Sequence, residues 1–256
     1  MYRGQGAASA LYAFVWGSVC DRYLELSKPI LKGEHSSGTA GRLETQTTLA
    51  WVLEQSMTLL HPIMPFITEE LWGITGTRDT MLVHQDWPSY GLELIDEAAT
   101  IEISWAISLI DAIRSARAQM NVPAGAKVPL VQVQNDAAGS KALAANMAQI
   151  RQMARITEVT IAAEMPKGAI TVSAPHATFG LPLADIIDVV AEKARLEKNM
   201  GKLAKELGGL RGRLNNPKFA ASAPPAVLAE TQANLAAREE EEQKLSEALA
   251  RLAEIV

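Results

Sequence analysis

Arg195, Lys198, Lys202 and Lys205 follow one another at steps of three, four and three. That spacing puts four cations on one face of an α-helix. A one-sided row of cations suits a phosphate backbone, where each neutralised phosphate releases condensed counterions. The row lies in a longer basic segment. From Glu192 to Lys218 there are eight basic residues (Lys193, Arg195, Lys198, Lys202, Lys205, Arg211, Arg213, Lys218) and three acidic ones (Glu192, Glu197, Glu206), a local balance of 8 − 3 = +5 in a chain of formal net charge −5. Further on, Glu239-Glu240-Glu241-Glu242 stand in a row. The alternative reading is a pair of solvated helix faces, one basic and one acidic, attracting each other.

Other residue types point to chemistry less sharply. Phe14, Trp16, Tyr23, Trp72 and Trp105 offer surfaces on which bases could stack, or they fill a core. Arg22, Lys28, Arg114 and Arg117 could meet phosphates or bases, or be surface charges. Gly201, Gly208, Gly209 and Gly212 each cost a helix about 1 kcal/mol relative to alanine. They fall off the apolar seam of their helix, so they mark either a close approach by a partner or a flexible segment. No catalytic constellation is visible. Gly73-Ile74-Thr75-Gly76 lacks the strand, lysine and spacing of a phosphate-binding loop. Glu69-Glu70 reads as a solvated helix face. Cys20 is the one cysteine, so no internal disulfide forms, and His35, His61, His84 and His176 have no metal-ligand spacing.

The elements that must position these residues are mostly helices. Ala8, Leu11, Val15, Val19, Tyr23 and Leu26 predict a helix over residues 7–28, ended by Pro29. Leu43, Gln46, Ala50, Leu53, Met57 and Leu60 predict the seam of a second. His61-Pro62-Ile63-Met64-Pro65 is a bend before a short helix. A long helix is expected from Leu92 to Gln119 with the stripe Ile101, Trp105, Leu109, Ile113, Ala116 and Met120. Val128–Val133, Glu158–Ile161 and Ala169–Val172 read as strands around a helix at Lys141–Arg155. From Asp185 the chain is helical again. Leu196, Met200, Leu203, Leu207, Leu210 and Leu214 form a strict heptad seam. Asn215-Asn216-Pro217 and Ala223-Pro224-Pro225 turn the chain. A return helix from Ala226 to Val256 carries Leu228, Leu235, Leu249 and Val256 on one seam position and Leu245 and Leu252 on the other, with polar Glu242 weakening its middle. At 1.5 Å per residue the hairpin would extend roughly 45 Å. The fold class is therefore mainly α: a helical bundle over 1–124, a small α/β module over 125–183 and a long antiparallel helical hairpin over 184–256.

Composition limits the partners. Apolar residues make up 48% of the chain, enough for a real core. An acidic net charge argues against a generally basic nucleic-acid binder, so local patches must carry any RNA contact, and no DNA partner is expected. No apolar run approaches the roughly 20 residues of a membrane span, and Met1-Tyr2-Arg3-Gly4 opens no signal sequence. A soluble, cytoplasmic, monomeric protein is expected.

Several motifs resemble one family. Leu11-Tyr12-Ala13-Phe14-Val15-Trp16 with Cys20-Asp21-Arg22-Tyr23-Leu24-Glu25-Leu26-Ser27-Lys28-Pro29 is similar to the anticodon-binding helix of bacterial valyl-tRNA synthetases. Leu60-His61-Pro62-Ile63-Met64-Pro65-Phe66-Ile67-Thr68-Glu69-Glu70-Leu71-Trp72 resembles the signature of that domain, which the isoleucyl and leucyl enzymes share more loosely. Arg114-Ser115-Ala116-Arg117 with Met120-Asn121-Val122-Pro123 resembles the end of its last helix. Leu181-Pro182-Leu183, Ile187-Asp188-Val189, Leu214-Asn215-Asn216-Pro217-Lys218-Phe219 and Ala223-Pro224-Pro225-Ala226-Val227 resemble the valyl enzymes' coiled-coil arm. The resemblance implies an anticodon-binding bundle in which Arg22, Tyr23 and Leu24 face the anticodon loop, with Lys28, Arg114 and Arg117 beside it. It implies an arm whose Arg195, Lys198, Lys202, Lys205, Arg211 and Arg213 meet the outer corner of valine-specific tRNA. The parent enzyme's ATP-using catalytic domain and its editing domain are not expected in this chain, which would need no cofactor of its own. Departures cluster near the anticodon face: Arg22 replaces a usual tryptophan, Gly17 an asparagine, and Gly4-Gln5-Gly6 a Phe-Asn-Asp stretch. A structural interaction module and a stand-alone tRNA-binding factor remain open beside this reading.

Overall fold

The computed structural model describes residues 4–217, 219 and 223–253. Met1–Arg3, Lys218 of the basic segment and Val256 of the return seam lie outside them. The described residues group into two compact units, one formed by the chain up to Ile101 together with Asn146–Met153, the other by Glu102–Ala145 and the residues from Ala154 onward.

In the first unit, α1 (Gly4–Ala13) runs through a π-helical stretch (Phe14–Leu24) into α2 (Glu25–Leu31). The expected seam holds: Val19 and Leu26 are buried, and Ala8, Leu11, Val15 and Tyr23 are half-buried. Pro29 does not end this helix. It sits buried inside the last turn, where its missing N–H removes a single ladder bond, and the chain leaves the helix two residues later with Gly33 at φ 79.

The second helix, α3 (Gly38–Leu60), forms where expected but turns a different face inward. Leu43 is 64% exposed and Leu53 49%, whereas Thr45, Ser56, Met57 and Thr58 are buried. The polar side chains tolerate burial by bonding to their own helix: Ser56 Oγ donates to the Val52 carbonyl at 2.7 Å and Thr58 Oγ1 to that of Glu54 at 3.0 Å. Helix α4 (Pro65–Ile74) starts with proline in its first turn. Met57, Trp72 and Leu82 close a small core against it.

Helix α5 (Glu97–Gln119) follows a single 3₁₀ turn at Leu92–Leu94. Its predicted stripe is buried from Trp105 to Met120, while Ile101 is 69% exposed. Asn121, at φ 50, stops it in the left-handed region that asparagine tolerates. In the second unit, β1 (Val128–Asn135), β2 (Ile156–Ile161), β3 (Ala169–Ala174) and β4 (Ala177–Pro182) make one sheet in the order β2-β1-β4-β3. β1 and β2 are parallel and the other pairs antiparallel; between β1 and β2 in the chain come α6 (Ala137–Ala145) and α7 (Met147–Ala154), the latter counted almost wholly with the first unit. Trp105 binds this module. Its Nε1 donates to the Pro175 carbonyl at 2.9 Å, and its ring meets Phe179 edge-on at 6.3 Å.

The hairpin consists of α8 (Val189–Leu214) and α9 (Pro225–Ala253). Asp188 caps α8, its carboxylate accepting from the Ala191 N–H at 2.9 Å. The predicted seam is the packed one: Leu196, Leu203 and Leu207 are buried, and Met200, Leu210 and Leu214 half-buried. Arg251 of α9 donates to Gln119 of α5 at 2.6 Å. The mainly-α class, with a small mixed sheet and a long helical hairpin, matches the expectation. No helix among the described residues is long and apolar enough to cross a membrane.

Candidate nucleic-acid interface

Seam and stripe on α8 are two sides of one repeat. With Leu196, Leu203 and Leu207 turned to α9, residues about half a turn round the helix, such as Lys198 and Lys205, must face away. Arg195, Lys198, Lys202, Lys205, Arg211 and Arg213 are all exposed. They divide by partner. Arg195 lies against Glu192 in a bidentate ion pair, its Nε donating at 2.8 Å. That hydrogen bond raises the Arg195 pKa above the usual guanidinium value, so this charge is already answered. Arg211 reaches across the hairpin to Glu239 at 2.9 Å and Glu242 at 3.8 Å. Among the described residues, Lys198, Lys202 and Lys205 meet no carboxylate, and neither does Arg213, whose guanidinium stands 5.8 Å from the Phe219 ring centre. The exposed surface of α8 therefore presents four cations that meet no carboxylate among the described residues. Between them lie Gly201, Gly208, Gly209 and Gly212, and a Cβ added to any of these would meet nothing within 4 Å. The acidic run of α9 divides too: Glu239 and Glu242 face Arg211 across the hairpin, while Glu240 pairs with Lys244 and Glu241 with Arg238 on their own helix.

The residues expected at the bundle scatter in environment. Arg22 is exposed on the π-helical stretch, Tyr23 half-buried, and Leu24 38% exposed. Lys28 is held by Glu25 at 2.5 Å, one turn away. Arg114 is exposed, but Arg117 on the same helix is only 7% exposed. Its Nη2 donates to the carbonyls of Ala126 at 2.7 Å and Pro123 at 3.3 Å, tying down the loop that follows α5. Burial and then the nearby Arg155 charge lower the Arg117 pKa. Of the five aromatics, Trp72 and Trp105 are core residues, while Phe14 and Trp16 are exposed.

Helices stacked in the first unit, and a cationic strip on a long hairpin in the second, are the features the comparisons address. Residues 1–133 match the family described as the anticodon-binding domain of tRNA ligase. The chain belongs to that family. Residues 188–253 match the valyl tRNA synthetase tRNA binding arm, which is the hairpin with its cap. Similar full-length proteins are valine–tRNA ligases. That of Ruegeria pomeroyi is 61% identical over 255 residues, 99% of this chain and 25% of that protein. That of Cereibacter sphaeroides is 57% identical over 254 residues, again 99% and 25%. That of Caulobacter vibrioides is 43% identical over 253 residues, 97% and 28%. The chain thus spans about a quarter of the length of these relatives, corresponding to their C-terminal quarter.

Two functional details of this anticodon-binding family member escape a reading of its sequence. Glu69, taken as solvated, instead accepts from the Leu82 N–H at 2.7 Å and the Val83 N–H at 3.3 Å, capping the 3₁₀ turn at Leu82–His84. Arg238 occupies a seam position of α9, four residues before Glu242, and pairs with Glu206 at 3.4 Å. The seven-residue steps from Thr231 to Arg238 and from Arg238 to Leu245 would have flagged it.

Proposed function

We propose that the chain is the tRNA-gripping part of a valine–tRNA ligase. The bundle meets the anticodon loop and the arm meets the outer corner of a valine-specific tRNA. Together they hold the acceptor end toward a catalytic part, outside this chain, that activates valine with ATP and attaches it. The chain itself needs no cofactor for this work, and the protein acts as a monomer in the cytoplasm.

The observation that carries this reading is the set of Lys198, Lys202, Lys205 and Arg213, exposed and without carboxylate partners among the described residues, on a hairpin that matches a tRNA-binding arm. Unpaired cations keep their full attraction for phosphate, whereas Arg195 and Arg211 would first have to leave their glutamates. At the bundle, Arg22 and Arg114 are the exposed cations suited to phosphate, and Leu24 offers an apolar surface for an unstacked base.

The test is the salt dependence of tRNA binding. Each phosphate neutralised contributes a slope of about −0.7 to −0.9 to log K against log salt. Replacing Lys198, Lys202 and Lys205 together by glutamine should therefore flatten the slope by roughly two units, while Arg195→Gln and Arg211→Gln should flatten it less. An unchanged slope in the triple variant, with helix content intact, rules the strip out as an RNA contact. Self-association without tRNA binding would instead make the hairpin an interaction module.

A further inference from the structure

A long hairpin braces an RNA only if its own root is held. Helix α8 has 26 residues, so at 1.5 Å per residue a tilt of about 10° at its root moves its far end by roughly 7 Å. The start of α8 is built onto the sheet. Leu183, fully buried, follows β4 directly. Its N–H and that of Ala184 donate to the Gly168 carbonyl at 3.0 and 3.3 Å, and its own carbonyl accepts from Ile186 and Ile187 at 2.9 and 3.1 Å. Asp188 then caps the helix. One such mount still lets a hairpin swing about it.

Helix α9 supplies the second mount. It packs against β3, and Ala248 and Leu252 are buried in its last turns. Arg251 lies between them in the chain, and its Nη1 donates to Gln119 Oε1 at 2.6 Å, across 132 residues of sequence. Gln119 is the last residue of α5, so this bond ties the hairpin to a different element from the one α8 leaves. A charged donor on a half-buried amide oxygen is among the stronger hydrogen bonds. Further out the seam thins. Leu196, Leu203 and Leu207 are buried, Leu210 and Leu214 half-buried, and Gly208, Gly209 and Gly212 stand among them.

We propose that Arg251 is a positioning residue: by clamping the end of α9 to Gln119 it fixes the arm at its root, so that Arg114 of α5 and the lysines of α8 meet one tRNA as a single body. The inference rests on the RNA-gripping reading of the arm and adds the residue that sets the arm's direction. Contacts held on one rigid body act with a high effective concentration for each other, and that gain is lost when the body loosens.

Distances and affinities test this together. With Cys20→Ser removing the one native cysteine, Ser140→Cys on α6 and Ala237→Cys on α9 place spin labels at two exposed positions of the second unit. The clamp predicts one narrow distance, which broadens in Arg251→Gln and narrows again when Gln119→Arg is added, since the swapped pair restores donor and acceptor. In the unlabelled chain, with thermal unfolding as the control for folding, Arg251→Gln weakens binding of a valine tRNA transcript about tenfold, keeps the parent's salt slope and is rescued by the swap. Added to the Lys198, Lys202 and Lys205 triple glutamine variant, it weakens binding no further. An unbroadened distance in Arg251→Gln overturns the proposal. A flatter salt slope also overturns it, by making Arg251 a phosphate contact. If the triple variant itself binds like the parent, the arm's RNA contact has failed, and the distances, measured without RNA, still judge the clamp.

Discussion

At the scale of single residues, the motif from His61 to Trp72 is a device for closing the first unit. Trp72 Nε1 donates to the Thr80 carbonyl at 3.1 Å, the Arg78 guanidinium lies 3.8 Å over its ring, and Arg78 pairs with Glu54 at 2.6 Å. Glu69 holds the turn above by its two backbone N–H bonds. Glu69→Ala leaves both donors without that partner, and its unfolding free energy should fall by about 1–3 kcal/mol. Urea unfolding followed by tryptophan fluorescence reads this, and an unchanged midpoint would show that water replaces the carboxylate at no cost. Arg117 is the contrasting case. The resemblance places it with the tRNA contacts, yet its guanidinium holds the Pro123 and Ala126 carbonyls. Arg117→Met should destabilise the second unit by about 1–3 kcal/mol and leave tRNA affinity of the folded protein within twofold, whereas Arg114→Gln should weaken binding without lowering the melting temperature. Neither Glu69 nor Arg117 was legible as a structural residue, because a charged side chain in a motif names no partner: the partners lie thirteen and nine residues further on, in loops without periodicity.

At the scale of elements, legibility followed how much of an element's pattern is apolar. The seam of α8 was readable residue by residue, since leucines at steps of three and four admit one buried face. The seam of α3 was not. Its inward face carries Thr45, Ser56 and Thr58, the last two with hydroxyls bonded within their own helix, so the exposed Leu43 and Leu53 looked like the core. The strand β4 was missed because Gly180 and Pro182 weaken its strand character, although Phe179 and Leu181 are fully buried at its centre. The glycines of α8 remain the element's anomaly. They cost helix stability and fill no packing need. Gly201→Ala and Gly212→Ala should each stabilise the hairpin by about 1 kcal/mol, seen as slower amide hydrogen exchange along α8. If affinity for tRNA falls as the helix stiffens or its surface thickens, the glycines serve the RNA. If affinity is unchanged, they reflect tolerance of a flexible arm.

At the scale of the whole molecule, the two units differ in what holds them together. Among the described residues of the first unit, the buried apolar side chains are Val19, Leu26, Pro29, Met57, Trp72, Leu82 and Ile150, while Tyr12, Phe14, Trp16, Leu43, Trp51 and Leu53 of the same unit are exposed. The second unit buries α5 from Trp105 to Met120, both central strands of its sheet and the α8 seam. Burial is the main favourable term in folding, at about 25 cal/mol per Å² of apolar surface, so the first unit has far less to set against its chain entropy. Family membership was legible from the motifs, but this asymmetry was not, because a sequence states which residues are apolar and leaves open which of them find cover. The expected consequence is unfolding in two steps. Hydrogen exchange in increasing urea should release the amides of α1 to α4 first, with those of β1, β4 and α5 protected to a higher concentration. A single coincident transition at every amide would mean that the units fold as one body and that the exposed apolar side chains are no liability to the first. Because the two-step result assigns the lower stability to the anticodon-binding helices, it also predicts that tRNA should protect them more than it protects the sheet, since a ligand bound to the native form stabilises whatever must be folded to bind it.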